Sequence, residues 1–179
     1  MSLVDRLDSL LRIEKITKLE AAQRQLRTAC RLFFQDADSV SVHTLAWAAH
    51  EILEKHPKSP GSFLFDLADE SPEVSKARKE LTEARNFFKH YHKTPLKTFK
   101  FIENLNEWLL IDCGQMYRSI TGKVLRETYG VTAWVSFNRN ILFLKNPALV
   151  SYLRELNPTK EQVLQIIDSH PDLRKPDFD

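Results

Sequence analysis

The sequence predicts an all-α fold, a single-domain helical bundle of four main helices with short terminal helices. Three observations lead there. Glycine is scarce, with only 4 in 179 residues. The 8 prolines fall largely between periodic segments rather than inside them. Apolar residues recur three or four positions apart over long stretches, the spacing of a helix with one buried face. The length suits one domain, large enough to bury a core without covalent staples.

Residues 3–13 read as a short amphipathic helix carrying Leu3, Leu7, Leu10 and Leu11, so residues 1–16 form an N-terminal helical segment. Residues 17–170 form the helical domain, and residues 171–179, after Pro171, a flexible tail. From 17 to 36 the apolar set is Leu19, Ala22, Leu26, Ala29 and Phe33, and Thr17 with Glu20 matches a capping box. A second helix begins near Asp38 and runs to about Lys55, with Val42, Leu45, Ala49, Ile52 and Leu53 inward and Pro57, Pro60 and Gly61 ending it. Residues 57–71 are expected as a loop whose Phe63, Leu64, Phe65 and Leu67 tuck against the body.

Ser71-Pro72-Glu73 marks the next start: a capping residue, a proline in the first turn, then an acid favoured by the helix dipole. That helix is expected to reach His92, burying Val74, Ala77, Leu81, Ala84, Phe88 and Tyr91. A fourth spans about 99–121, with Ile102, Leu105, Leu109, Met116 and Ile120 inward and Gly122 closing it. Residues 131–144 fit either a helix or a hairpin, and the helical surroundings favour the helix. Short helices follow over 148–156 and 159–169.

Composition narrows the classes of function. The apolar runs are too short to span a bilayer, and the first residues lack the basic segment and apolar core of a secretion signal, so a cytoplasmic protein is expected. Cys30 and Cys113, the 2 cysteines, read as reduced and packed; alone they make no zinc site. The net charge of +2 is too small to argue for nucleic acid. Between Glu83 and Glu103, however, no acid occurs, while Arg85, Lys89, Lys93, Lys97 and Lys100 fall there with His90 and His92.

Within that run stands Arg85-Asn86-Phe87-Phe88-Lys89-His90. It resembles the motif of the HEPN superfamily, small helical bundles of toxin–antitoxin, phage-defence and RNA-processing systems. The family pattern is an arginine, usually followed by a polar residue, then a histidine after four to six intervening positions. Arg85, Asn86 and His90 match its commonest form, and His92 also meets the spacing. The stretches 18–26 and 43–53 are similar to those of bacterial helical proteins of unassigned activity, a likeness that implies no chemistry.

The resemblance implies a metal-independent endoribonuclease acting on RNA in bacterial defence or toxin–antitoxin control. It also implies a homodimer and an antitoxin protein as a further partner. Such cleavage needs a group that moves protons near neutrality and a fixed, forked cation for the phosphate, roles that suit His90 and Arg85. Asn86 is suited to orienting the histidine or bonding a phosphate oxygen. At ~100° per residue Arg85 and His90 lie roughly 140° apart on one helix, which HEPN nucleases generally meet by pairing two subunits. His92, Lys89, His43 and His50 stand as supporting residues. The purely structural alternative has Arg85 bonding a neighbouring helix's carbonyls and His90 serving as a basic helix-end residue. A second functional class is a non-catalytic binding or adaptor domain engaging a protein or nucleotide ligand.

The helix before the motif carries His43, Trp47, His50 and Glu54 in one stripe. A metal reading of His43, His50 and Glu54, with Glu51, fails on distance, because histidines seven apart are ~10 Å apart along the axis. A stripe packed at a helix interface is the expectation, with no metal and no cofactor implied. Asp112, Tyr117 and Arg118 have no diagnostic spacing.

Overall fold

The computed structural model describes residues 13–66, 71–90, 98–140 and 146–170. Among these, all regular structure is helical. The helices are α1 Lys18–Phe34, α2 Ser39–Glu54, the single turn α3 Phe63–Asp66, α4 Pro72–Lys89, α5 Leu105–Thr121, α6 Arg126–Asn138, α7 Pro147–Leu156 and α8 Lys160–Ser169. The ambiguous segment is therefore helical through Asn138. Residues 141–144, the helix expected over 3–13 up to residue 12, the tail 171–179, and Leu67, Tyr91, His92, Lys93 and Lys97 lie outside the described residues.

Local chemistry explains most boundaries. The capping box forms at α1: the Glu20 backbone N–H donates to Thr17 Oγ1 at 3.1 Å, and the Thr17 N–H donates to Glu20 Oε2 at 2.8 Å. Asp38 caps α2 through Ser41 N–H at 2.8 Å. Gly122 ends α5 with φ of 70°, a left-handed conformation that costs glycine little.

Several boundaries differ from expectation: α4 stops at Lys89 short of His92, because the backbone is extended at His90, and α6 begins at Arg126, ahead of the expected Val131. Ser71 precedes α4, but its hydroxyl donates to Glu73 Oε2 at 2.7 Å instead of accepting a backbone N–H. The long helix expected from residue 99 begins only at Leu105, and Ile102 is 38% exposed rather than inward. The chain before it is held in another way. Phe99 stacks on Phe87 at 5.4 Å, and Phe101 meets Phe88 and His43 edge-on at 5.1 and 5.4 Å.

The core is centred on α1, α2 and α5, with Leu26, Ala29, Ala46, Ala49, Leu53, Leu109, Leu110 and Cys113 wholly buried. Both cysteines are free and buried, as read from the sequence, and burial pushes their thiols up. Helix α6 lies on α1 and α5 and also packs against α7 and α8. Three buried acids tie these layers together. Glu107 receives a bidentate guanidinium from Arg139 at 3.0 and 3.1 Å. Glu127 receives Arg27 and Arg31, each at 3.1 Å. Asp112 is taken up below.

Candidate functional site

Helix α4 carries the motif near its C-terminal end, and its face toward α2 is set by periodicity. Arg85 and Lys89, four apart, share a face, and both reach the same carboxylate on α2. Arg85 Nη1 donates to Glu51 Oε1 at 3.0 Å, and Lys89 Nζ lies 3.6 Å from Glu51 Oε2. Trp47 Nε1 donates to the same Oε1 at 3.1 Å, and the Arg85 guanidinium carbon sits 5.2 Å from the centre of the Trp47 ring.

The Asn86 side chain is bound to the arginine. Its Oδ1 accepts from Arg85 Nε at 3.2 Å and from Nη2 at 2.9 Å. His90 lies past the end of the helix, with extended backbone (φ −134°, ψ 101°) and its N–H donating to Asn86 O at 3.1 Å. The structure thus gathers Arg85, Asn86 and Lys89 around Glu51 and sets His90 where the chain turns out of α4. Arg85 bonds a neighbouring helix, as the structural alternative expected, but through a carboxylate rather than carbonyls. Its side chain keeps 29% of its exposure, and that of Lys89 keeps 58%.

Glu51 is held ionised. Partial burial, the largest influence, pushes its carboxyl up. The Trp47 N–H and the charges of Lys89 and Arg85 together outweigh burial and keep it below the ordinary 4.5. Sequence reading weighed Glu51 only as a metal ligand. Its role in holding Arg85 depends on how α2 packs against α4, which no spacing along either helix reveals.

His43 and His50 are wholly buried and do not join the motif residues as open side chains. Both stack on Trp47, with centroids 5.9 and 5.3 Å away, which makes them parts of an interface stripe, as expected. His43 Nδ1 lies 3.1 Å from Asn106 Oδ1. His50 Nε2 lies 2.9 Å from Asp112 Oδ2, and that carboxylate also accepts the Ser62 hydroxyl at 2.5 Å and the Phe63 N–H at 3.0 Å. Asp112 therefore fastens the loop before α3 onto the core. Its place between Leu109, Cys113 and Met116 on the inward face of α5 marks an acid that needs partners, but not which partners.

A cavity of about 210 Å³ opens elsewhere, lined among others by Asp36, Ser39, Glu103, Asn106, Glu107 and Lys160, and includes none of the motif residues. Among the described residues, no helix is long and apolar enough to cross a membrane.

Comparison of the chain with protein-family models, curated proteins and solved structures finds no match.

Proposed function

We propose that this chain is a HEPN-like helical domain that cleaves RNA without metal, the 2′-hydroxyl attacking the adjacent phosphate. The reading includes a homodimer as the working form and a place in bacterial defence or toxin–antitoxin control, with an antitoxin as partner. One observation carries it: Arg85, Asn86, Lys89 and His90 are gathered at the C-terminal end of α4, with the first three linked through side chains and the cations partly open to solvent. In the proposed reaction Arg85 binds the phosphate and stabilises the charge that develops on it. His90 takes the 2′-hydroxyl proton as that oxygen bonds to phosphorus and returns it to the 5′-oxygen as the P–O5′ bond breaks, with Asn86 keeping the guanidinium in place. Two copies of the segment, facing each other across a two-fold axis, bring an arginine of one subunit to a histidine of its partner.

The test is incubation of mixed RNA with the protein in chelator. Products should end in 2′,3′-cyclic phosphate, and DNA should resist because it lacks the nucleophile. Arg85→Ala and His90→Ala should each lose at least ~100-fold in rate, and Arg85→Lys should fail as well. His92→Ala should lose less. Sedimentation should give a dimer. Cleavage that survives both single alanine changes would end the nuclease reading.

A second reading, a non-catalytic adaptor binding a protein or nucleotide ligand, is favoured by one observation. Glu51 already answers the Arg85 charge, as in a structural ion pair. On that reading all variants are equally inert toward RNA.

A further inference from the structure

The geometry points to Glu51 as a built-in counter-ion that competes with RNA phosphate for Arg85 and Lys89, so that the chain holds its own RNA face partly switched off. This inference rests on the RNA reading above and names how that site is regulated.

The Glu51 carboxylate occupies the place a phosphate would take. One oxygen accepts from Arg85 Nη1 at 3.0 Å, and the other faces Lys89 Nζ at 3.6 Å. A phosphate diester presents the same pair of oxygens and the same single charge, so carboxylate and phosphate compete for one pair of cations. The oxygen that accepts from Arg85 also accepts from Trp47 Nε1 at 3.1 Å, which steadies the carboxylate in that place. Arg85 is equally fixed, through its two bonds to Asn86 and its stacking on Trp47. Its guanidinium therefore need not move for the exchange. Only Glu51, whose side chain is 31% exposed, has to swing outward.

The contacts with Glu51 and Asn86 use three of the five N–H donors of the guanidinium. The remaining two give an incoming phosphate a first hold before the carboxylate leaves. A ligand with a single phosphate then gains little from displacing Glu51. A strand that supplies several phosphates along the basic run gains more.

The experiment measures binding of a short labelled single-stranded RNA by fluorescence anisotropy across a salt series. The variants are Glu51→Gln, Arg85→Ala and the two combined, with circular dichroism confirming that each is folded. Glutamine keeps the length and can still accept from Trp47. Glu51→Gln should tighten binding roughly fivefold, the scale of releasing one partly exposed ion pair. It should also steepen the dependence of log affinity on log salt by about 0.7, one more phosphate contact on a single strand. The gain should vanish in the double variant. Glu51→Asp, which keeps the charge but withdraws it by one methylene, should fall between wild type and Glu51→Gln.

If Arg85→Ala weakens binding while Glu51→Gln leaves it unchanged or weakens it, Glu51 merely positions the arginine and the counter-ion role is overturned. A readout without RNA separates the two ideas, namely the rate at which phenylglyoxal modifies Arg85. A faster rate in Glu51→Gln with no RNA binding in any form overturns the RNA reading and leaves the counter-ion standing. An unchanged rate overturns the counter-ion.

Discussion

Asn106 decides the protonation of His43. Its amide nitrogen donates to the Ser39 carbonyl at 2.9 Å, so its oxygen faces the imidazole, and His43 Nδ1 must carry the proton. Burial, opposed by Asn106 and the Leu81 backbone, holds the His43 pKa below its ordinary 6.5. The folded chain therefore takes up this proton at lower pH than the unfolded chain does. Stability is unaffected by the group above pH 6.5 and falls as the pH drops through the window beneath that value, by at most ~1.4 kcal/mol per unit of depression. Urea unfolding at about pH 7.5 and about pH 5 should show wild type losing more stability than His43→Gln, which does not titrate; equal losses would mean the ring is not buried neutral. The histidine stripe was legible in the sequence because a seven-residue interval recurs on one helix face. Its partners Asn106 and Asp112 were not, since they lie about sixty positions away on α5 and only folding brings them to the imidazoles. The motif behaves likewise. Arg85, Asn86 and His90 were found from spacing alone, but the Glu51 carboxylate that meets Arg85 was not.

Helix boundaries were readable where a cap is local and misplaced where tertiary packing overrides it. Thr17 with Glu20, Asp38, and Gly122 each act within a few residues of their own helix, and each ends or starts it as expected. The start of α5 is different. Residues 99–104 have acceptable helical spacing, but Phe99 and Phe101 gain more by packing on Phe87, Phe88 and His43 than a further turn would provide. Close approach between helices was equally hidden. Gly114 on α5 faces Thr128 on α6 so closely that an added Cβ would lie 2.9 Å from Thr128 Cβ, an atom anchored to its own backbone. Alanine is favoured over glycine by up to about 1 kcal/mol within a helix. Here the overlap should win, because α5 and α6 must separate to admit the methyl. Gly114→Ala should therefore lower stability by about 1–3 kcal/mol in denaturant unfolding. Gly114→Ala paired with Thr128→Gly, which removes that Cβ, should recover the part of the loss that exceeds the cost of a glycine within α6. A stabilised Gly114→Ala would show that the two helices pack less tightly than this distance requires.

Across the whole molecule, the helical class followed from the scarcity of glycine and the three-to-four periodicity, because those features report the burial of helix faces directly. A candidate site depends on which helices meet, and in the proposed dimer on which subunits meet, and neither is written in a periodicity. The helices are also unequally held. Helix α4 spans 18 residues, yet only Leu81 and Ala84 on it are fully buried, and among the described residues it rests on α2, the single turn α3 and the aromatic pair Phe99 and Phe101. Helices α1, α2 and α5, by contrast, bury most of their apolar side chains in one shared core. So small an anchorage gives α4 a local opening equilibrium of its own, separable from unfolding of the bundle. Its backbone amides should exchange with deuterium well before those of α1, α2 and α5, and their exchange should respond only weakly to low concentrations of denaturant. Exchange of α4 in step with the core would instead make the bundle a single cooperative unit. With independent opening, the arm bearing Arg85 can lift and reseat as a hinged latch while the remaining helices stay closed.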